Sequence, residues 1–459
     1  MRIVVCVRQG LDGEIGPFDA AAYEAALRFD NAEIILLSMG PPAVAECLQK
    51  LTRLGAKRAV LLSDSVFAGA DTLATAYALS RAIKHLSPEL VLCGRQTLVG
   101  DTAQTGPMIA ALCGYSLVTN VMGLETNQKG LLCHTRSEGE LTAELPALLT
   151  VERIYTLRLP RLRSKTGVLE IWDAAAVGAD PAKCGLVGSP TRVLQTFENQ
   201  GGKRQCRFIP PSQLQAAIAQ GLQKSREMTA SAQKNDAKLA RVCIVGEAPR
   251  AFAEAISDDL TLLPLTDVAD LVKKIEKLDP SAVLWGSDSP SKRMAAQVAA
   301  VLGLGLCADC TALEVAGDQL FFYRPALSGS IIAKIRCLTR PAMATVRTEE
   351  GDVSDIILTA GFGVRNNLQK VQALAEKLNA TLCATRKMVD QDYLPYECQV
   401  GLTGKTVAPP VYVAVGVSGA VHHIAGMQRA GTVIAINPDR NAPIFDYADY
   451  GIVANFEEL

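Results

Sequence analysis

Residues 399–439 read QVGLTGKTVAPPVYVAVGVSGAVHHIAGMQRAGTVIAINPD. Val411 to Val415 is a short, apolar, β-branched run that leads into Gly416-Val417-Ser418-Gly419. A helical pattern follows from Ala420 to Arg429, and a second β-branched run from Thr432 to Ile436. This predicts a strand, a glycine-rich turn, a helix and a strand. Such a unit delivers the chain to a helix N-terminus, whose unpaired N–H groups and positive dipole end suit a phosphate or pyrophosphate. Glycines at 416 and 419 would let a ligand approach the backbone. The spacing is not G-x-G-x-x-G, so alone it fits either an anionic ligand at the turn or an ordinary tight connection.

Composition narrows the classes. A chain of 459 residues implies two to four domains, and 49% hydrophobic with 20% charged residues is ordinary for a globular protein. A net charge of −1 argues against nucleic acid or an anionic membrane surface as partner. The start, MRIVVCVRQG, has too short an apolar run for a signal peptide, and no stretch reaches the roughly 18 apolar residues of a membrane span. The expectation is a cytoplasmic protein without membrane insertion. Thirteen scattered cysteines fit reduced thiols. Cys307 and Cys310 form a lone CxxC with no second pair and no nearby histidine, read as buried structural thiols rather than a metal site.

From the N-terminus, strands are expected at Arg2 to Val7, Ile34 to Leu37, Ala59 to Leu62 and Leu90 to Cys93. Helices are expected between them, one after Phe18 with Asp19 as N-cap and one from Asp71 to His85. That alternation implies a parallel sheet with helices on both faces. The segment GRQTLVGDTAQTGPMIAAL (94–112) then places Gly100, Asp101, Thr102, Gln104 and Thr105 between a strand end and a helix. It is either a phosphate-holding loop or a long solvated connection.

The chain repeats itself. SPELVLCG (87–94) is followed by a helix, Gly114, and a segment ending at Glu125; DPSAVLWG (279–286) is followed by a helix, Gly303, and a segment ending at Glu314. Gly114 to Glu125 and Gly303 to Glu314 both span 11 residues, whereas Gly94 to Gly114 spans 20 and Gly286 to Gly303 spans 17. The first copy is longer where the phosphate loop would sit, so the second is read as a partner without a nucleotide. Residues 195–211 read as a linker, 212–240 as a weakly amphipathic helix, and 349–354 as a second polar break.

Residues from about 356 to 455 resemble the FAD-binding domain of the α subunit of electron transfer flavoproteins. The resemblance lies in QVG-x-TGK-x-VAP, G-x-SGA-x-x-H-x-AGM, AIN-x-D and APIF-x-x-ADYGIV, in that order. Residues 1–195 resemble the β subunit, through SMGPP (38–42), FAGADTLATA (67–76), LVLCGRQ (90–96), GDTAQTGP (100–107), PALLTV (146–151) and GLVGSPTRV (185–193). SMGPP and FAGADT are closer to the electron-bifurcating branch. Residues 239–350 resemble the first domain of the α subunit through YRPALSGSIIAKI (323–335) and RPAMATVR (340–347).

The resemblance implies an α/β fold of three doubly wound parallel-sheet domains: 1–195, a linker and helix at 196–238, 239–350, and an FAD-binding domain at 351–459. It implies fused β and α subunits, FAD in the last domain, and AMP or a second FAD in the first. Arg386, after Thr385, would lie over the isoalloxazine and favour its reduced form. Val400, Gly401, Thr403, Gly404, Ser418, Gly419, Ala420 and His423 would surround the ring and its chain, with His423 facing a pyrimidine carbonyl. Asn437 and Asn455 would meet the adenosine. Several residues depart from the family: Val99 for an acid, Ser330 for asparagine, Phe362 and Cys398 for arginines, Leu402 for glutamine and Asn455 for aspartate. Arg365 could replace the arginine missing at 362. The implied partner is a flavin dehydrogenase of the acyl-CoA dehydrogenase type, met by the loop 158–172 with its Arg158, Arg161, Arg163 and Lys165. In the bifurcating branch NADH and ferredoxin join it. Two alternatives stay open: an adenine-nucleotide regulatory protein, and a hydrolase using Ser418 with His422 or His423, which would lack an independent acid and oxyanion site.

Overall fold

The computed structural model describes residues 1–10, 13–97, 100, 102–127, 130–136, 138–198, 203–230, 237–326, 331–347, 355–401, 404–405, 407, 409–428 and 430–456. Two compact units emerge, one of Met1–Thr196, Asn235–Leu327 and Ala333–Thr348, the other of Phe197–Lys234, Ser328–Ile332 and Glu349–Leu459. No described helix is long and apolar enough to cross a membrane.

In the first unit the chain runs β1 (Arg2–Cys6), α1 (Pro17–Ala26), β2 (Glu33–Met39), α2 (Val44–Thr52), β3 (Arg58–Leu62), α3 (Thr72–Leu86), β4 (Leu90–Gly94), α4 (Thr105–Cys113), β5 (Ser116–Asn127), β6 (Gly130–Thr135), β7 (Gly139–Ala143), β8 (Ala147–Val151) and β9 (Val168–Trp172). They form one sheet in the order β7-β6-β5-β8-β4-β1-β2-β3-β9. The central strands are parallel, and β5, β6 and β7 add an antiparallel meander at one edge. Strands buried on both faces read as continuous apolar runs, which is why β1, β3 and β4 were legible.

Asp71 caps α3 by accepting from the Ala74 N–H at 3.0 Å. Asp19 does not cap α1. Gly16 is the N-cap, because Pro17 takes the first helical position, and the Asp19 carboxylate accepts from the Arg8 N–H at 2.9 Å instead.

Next come β10 (Thr191–Glu198), β11 (Arg207–Phe208) and α5 (Leu214–Ala230). The second copy of the repeat supplies β12 (Val242–Val245), α6 (Arg250–Ile256), β13 (Leu260–Leu263), α7 (Val268–Leu278), β14 (Ala282–Trp285), α8 (Ser289–Leu302), β15 (Leu306–Cys310), β16 (Ala312–Ala316), β17 (Gln319–Ala326), β18 (Ile331–Cys337) and β19 (Ala342–Val346). Its parallel sheet has the order β13-β12-β14-β19-β15, and β10, β18, β17 and β16 form a separate four-stranded sheet.

The two copies match in backbone detail. Gly114 and Gly303 end α4 and α8 at φ of 71° and 68°. Asn120 and Asp309 share positive φ, and their N–H groups bond the hydroxyls of Thr150 and Thr345 at 3.0 and 2.8 Å. Cis prolines, Pro146 and Pro341, precede β8 and β19. Helices α4 and α8 pack together, and Met108, Ile109, Val298 and Ala299 share one core.

Asp309 is the charged exception within this symmetry. Its side chain is only 13% exposed, yet Lys292 at 2.9 Å and Arg347 at 3.8 Å overcome desolvation and hold its pKa at about 2. Asp309→Ala should cost about 3 kcal/mol, the low end of the range for breaking a buried pair, because the two cations keep 31% and 25% of their side-chain surface. Urea melts at pH 7 would measure it; a loss under 1 kcal/mol would contradict the assignment.

The second unit contains β20 (Ile356–Ala360), α9 (Leu368–Lys377), β21 (Thr381–Ala384), α10 (Arg386–Val389), β22 (Val411–Val415), α11 (Val421–Met427), β23 (Thr432–Ile436) and β24 (Tyr450–Ile452). Its parallel sheet runs β11-β24-β23-β22-β20-β21. The stretch read as linker and helix supplies an edge strand here: Arg207 and Phe208 pair with Tyr450 and Gly451. Helix α5 lies on β22 and β23, so closely that a side chain at Gly221 would meet Val411 and Thr432.

Candidate functional site

In an open parallel sheet, ligands sit outside the carboxyl ends of the strands where the connections diverge to opposite sides. In the second unit that point lies between β20 and β22. From β20 the chain passes to β21 on one side, and from β22 to β23 and β24 on the other. The two strands end in Gly361-Phe362-Gly363 and Gly416-Val417-Ser418-Gly419, and these turns touch. The Gly363 N–H donates to the Gly416 carbonyl at 3.2 Å, and a Cβ at Gly361 would lie 2.1 Å from that oxygen.

Most of the expected residues lie on the connections that follow the carboxyl ends of these strands. Gly416 and Gly419 have φ of 64° and 92°. Ser418 is exposed, and Ala420 is the N-cap of α11 with no side-chain cap bond. Asn437 is buried, donating from Nδ2 to the Val417 carbonyl at 2.9 Å and accepting from the Asp439 N–H at 2.9 Å, so it ties the turn after β22 to the end of β23. Thr385 and Arg386 follow β21 and open α10, where the half-exposed Arg386 pairs with Asp390 at 3.1 Å. The Val400 N–H donates to the Ala384 carbonyl, and Gly401 and Gly404 form the next turn. Asn455 is exposed beyond β24. Thr403 and Leu402 lie outside the described residues.

Arg365 stacks on Phe362 at 4.5 Å with Lys387 on the same ring at 4.0 Å, so two cations stand at the turn after β20. His423 is buried and hydrogen-bonded to Tyr412 and Val400. It is therefore no base for the exposed Ser418, which removes the His423 form of the serine hydrolase alternative.

In the first unit the divergence lies between β1 and β4. The Asp19 carboxylate bridges the ends of these strands, bonding the N–H groups of Arg8 and Gly94; burial raises its pKa to about 7. Gly94 has no room for a side chain, whose Cβ would stand 2.4 Å from Asp19 Oδ1. Beyond Gly94, Arg95 lies over Phe18 and, with Arg136, flanks the buried Glu152 at 3.4 and 3.6 Å.

The Gly100 N–H is bonded to Thr97, Thr102 is half-buried, Ala103 has φ of 55°, and Thr105 starts α4. Gln104, the N-cap, makes no capping bond and is 2% exposed, yet neither end of its amide has a hydrogen-bond partner among the described residues. Arg95 Nε, Thr119 Oγ1 and both Glu152 oxygens share that condition. Buried polar groups are nearly always bonded, so the unpartnered Gln104 amide at the start of α4 fits a polar ligand. Asp101 and Val99 lie outside the described residues.

The second copy differs in one decisive respect. Its helix α8 is capped by its own Asp288, which accepts from the Ser291 N–H at 2.9 Å. A carboxylate at that N-cap disfavours a further anion at the start of the helix. Cys307 and Cys310 are buried beside each other, and burial first, then mutual contact, raises the Cys307 thiol pKa. No cluster of metal-binding side chains occurs among the described residues. Ser330 lies outside them.

Comparison with known proteins identifies the family. A family model described as the electron transfer flavoprotein domain matches residues 3–177 and 253–382, and the electron transfer flavoprotein FAD-binding domain matches residues 352–428. Protein FixA of Azorhizobium caulinodans is 39% identical over 211 residues, 42% of this chain and 75% of that protein. The electron transfer flavoprotein subunit alpha of Thermoanaerobacterium thermosaccharolyticum is 33% identical over 234 residues, 41% of this chain and 70% of that protein. Subunit CarD of the caffeyl-CoA reductase-Etf complex of Acetobacterium woodii is 37% identical over 206 residues, 42% of this chain and 78% of that protein. With family models matching well over half its length, the chain belongs to the electron transfer flavoprotein family.

Proposed function

We propose that this chain is a fused β–α electron transfer flavoprotein with FAD between β20 and β22 and a second adenine nucleotide between β1 and β4. It relays electrons between a flavin dehydrogenase of the acyl-CoA dehydrogenase type and a second redox partner. The observation that carries the two-nucleotide reading is the contrast between the copies: Gln104 buried without a partner at an uncapped helix in one, Asp288 filling the equivalent position in the other. Fusion fixes the two halves at one to one and makes their meeting intramolecular. Bound FAD supplies the electron chemistry; the protein binds it, orients it and controls what approaches. The Gly361 and Gly416 turns admit the pyrophosphate, Arg365 and Lys387 offset its charge, and Arg386 supplies a cation at the end of β21.

The second nucleotide is FAD in the bifurcating form of this proposal and AMP in the simple carrier form. SMGPP, FAGADT and the similarity to a subunit of a caffeyl-CoA reductase-Etf complex favour the former. That form is reduced directly by NADH and passes one electron of each pair to ferredoxin; the simple carrier is not. Stopped-flow mixing with NADH tests this: rapid bleaching of flavin absorbance supports the bifurcating form, and no bleaching supports the simple one. A reducing compartment such as the cytoplasm suits thirteen free cysteines.

Docking falls to the loop 158–166. Arg158 is committed elsewhere, held by Glu24 at 2.7 Å. Leu159 and Leu162 are 88% and 99% exposed, with Arg161, Arg163 and Lys165 exposed around them. An exposed apolar pair ringed by cations fits an apolar pocket with an acidic rim. Reversing Arg161 and Arg163 to glutamate should slow electron transfer from the partner dehydrogenase by about tenfold or more at low salt while leaving flavin content unchanged. Unchanged transfer rates would remove the loop from the docking surface.

A further inference from the structure

The turn after β20 carries an aromatic ring at its centre. Phe362 stands between Gly361 and Gly363, and a Cβ on either glycine would press against the Gly416 oxygen. The backbone around Phe362 is therefore fixed on that side, and the ring leaves on the other, toward the end of β21. There it meets Tyr393, with ring centroids 6.4 Å apart and planes at 76°. The Tyr393 N–H donates to the Met388 carbonyl at 3.0 Å, which ties Tyr393 to α10. Phe362 thus spans the gap between the connections that leave β20 and β21.

Two cations share this ring. The Arg365 guanidinium lies 4.5 Å from its centroid, and Arg365 Nη1 donates to the Phe362 carbonyl at 3.2 Å. The Lys387 ammonium lies 4.0 Å from the same centroid. Arg365 is half-buried and Lys387 exposed. The neighbouring Arg386 is paired with Asp390 at 3.1 Å, whereas no ion pair of Arg365 or Lys387 occurs among the described residues. Like charges repel, and a ring quadrupole offsets only part of that repulsion. Two unpaired cations drawn onto one neutral ring beside glycine turns make a site for an anion that carries more than one charge.

We infer that Phe362 is a positioning residue that gathers Arg365 from one connection and Lys387 from the other into a single anion-binding pair. This deepens, and rests on, the reading that the unit binds FAD, whose pyrophosphate is the anion in question. The ring acts by fixing where the two charges stand. Without it each long side chain regains its rotamer freedom, and binding must order both again. Tyrosine at 362 keeps the platform, whereas leucine keeps only apolar bulk.

The test is the FAD dissociation constant of the deflavinated full chain at low and at high salt. It is measured for wild type, Phe362→Tyr, Phe362→Leu, Arg365→Met, Lys387→Met and the double cation variant, the last with and without Phe362→Leu. Phe362→Leu should weaken FAD binding about tenfold at low salt, two cation–π contacts being worth about that factor, and Phe362→Tyr should stay within about threefold of wild type. Phe362→Leu removes no charge, yet it should reduce the salt dependence of FAD binding as each cation variant does. In the double cation variant the leucine should cause no further loss. An unchanged salt dependence in Phe362→Leu, or an equal loss whether or not the cations are present, would overturn the inference, since the ring would then act by packing alone. Should the leucine variant not fold, Arg365→Met and Lys387→Met decide the matter: unchanged FAD affinity in both overturns the inference, and matching losses of affinity and salt dependence support it. A wild-type chain that takes up no FAD would refute the FAD reading. A chain that takes it up while ring and cations behave independently would refute only the role given to Phe362.

Discussion

Gly361→Ala should give a chain that purifies with less than about a tenth of the wild-type flavin and whose second unit loses about 3 kcal/mol of stability, the upper end for overpacking a tight interior. Gly361 has φ of −86°, where any residue is comfortable, so the penalty is purely steric. The new methyl carbon would stand 2.1 Å from the Gly416 oxygen and 2.5 Å from the Val417 nitrogen. Both are backbone atoms, so no side chain can rotate aside. Relief requires the ends of β20 and β22 to separate, and that breaks the 2.7 Å bond from the Gly361 N–H to the Val415 carbonyl. Those are the strand ends between which the pyrophosphate is proposed to lie. Absorbance of the purified variant and its urea melt check both halves of the expectation. A yellow, wild-type-stable variant would show that the two turns do not meet as described.

The second large effect is a dependence of stability on pH that runs opposite to the usual carboxylate. Most acids in folded proteins have lowered pKa values and stabilise as pH rises. Asp19 has its pKa raised by burial from 3.8 to about 7, its bonds from Arg8 and Gly94 only partly compensating. Its contribution is therefore fully present below pH 3.8 and is lost as pH rises through 7, since the unfolded chain gives up the proton first. Between pH 5 and pH 7 the loss is about 2–3 kcal/mol, at about 1.4 kcal/mol for each pH step. Asp19→Asn cannot ionise, so the difference in stability between variant and wild type should shift in favour of the variant by that amount between pH 5 and pH 8. Paired melts across this range measure it, and a pH-independent difference would show that Asp19 titrates normally.

Much of this structure is legible in the chain because its strands are buried on both faces. Val411 to Val415 and Thr432 to Ile436 are uninterrupted β-branched runs, and the structure has strands with those bounds. The repeat was legible from the equal spacing of Gly114 to Glu125 and Gly303 to Glu314, since both copies need a left-handed glycine at the same helix end.

What was not legible depends on contacts distant in sequence. Arg207 and Phe208 are two residues in a polar stretch, and only the exposed edge of β24 makes them a strand. The four-stranded sheet of β10, β18, β17 and β16 likewise depends on a partner strand over a hundred residues away. Asp19 looked like a helix cap because its residue type favours caps, whereas Pro17 had already set the helix start one position after Gly16. Among candidate site residues, Gln104 and Asn437 could be named from motif position. The Arg95–Glu152–Arg136 cluster could not, because its members are brought together by the adjacency of β4 and β8 and by β6, which ends at Thr135 just before Arg136.

Nucleotide content per chain addresses the two-site reading most directly. The purified protein would be denatured by heat, and the released nucleotides separated by chromatography and counted against protein concentration. Two nucleotides per chain, at least one of them FAD, is the expected result, with two FAD identifying the bifurcating form and one FAD with one AMP the simple carrier. A single FAD with nothing further bound would contradict the site between β1 and β4. A colourless chain holding only adenine nucleotide would contradict the assignment of FAD to the crevice between β20 and β22.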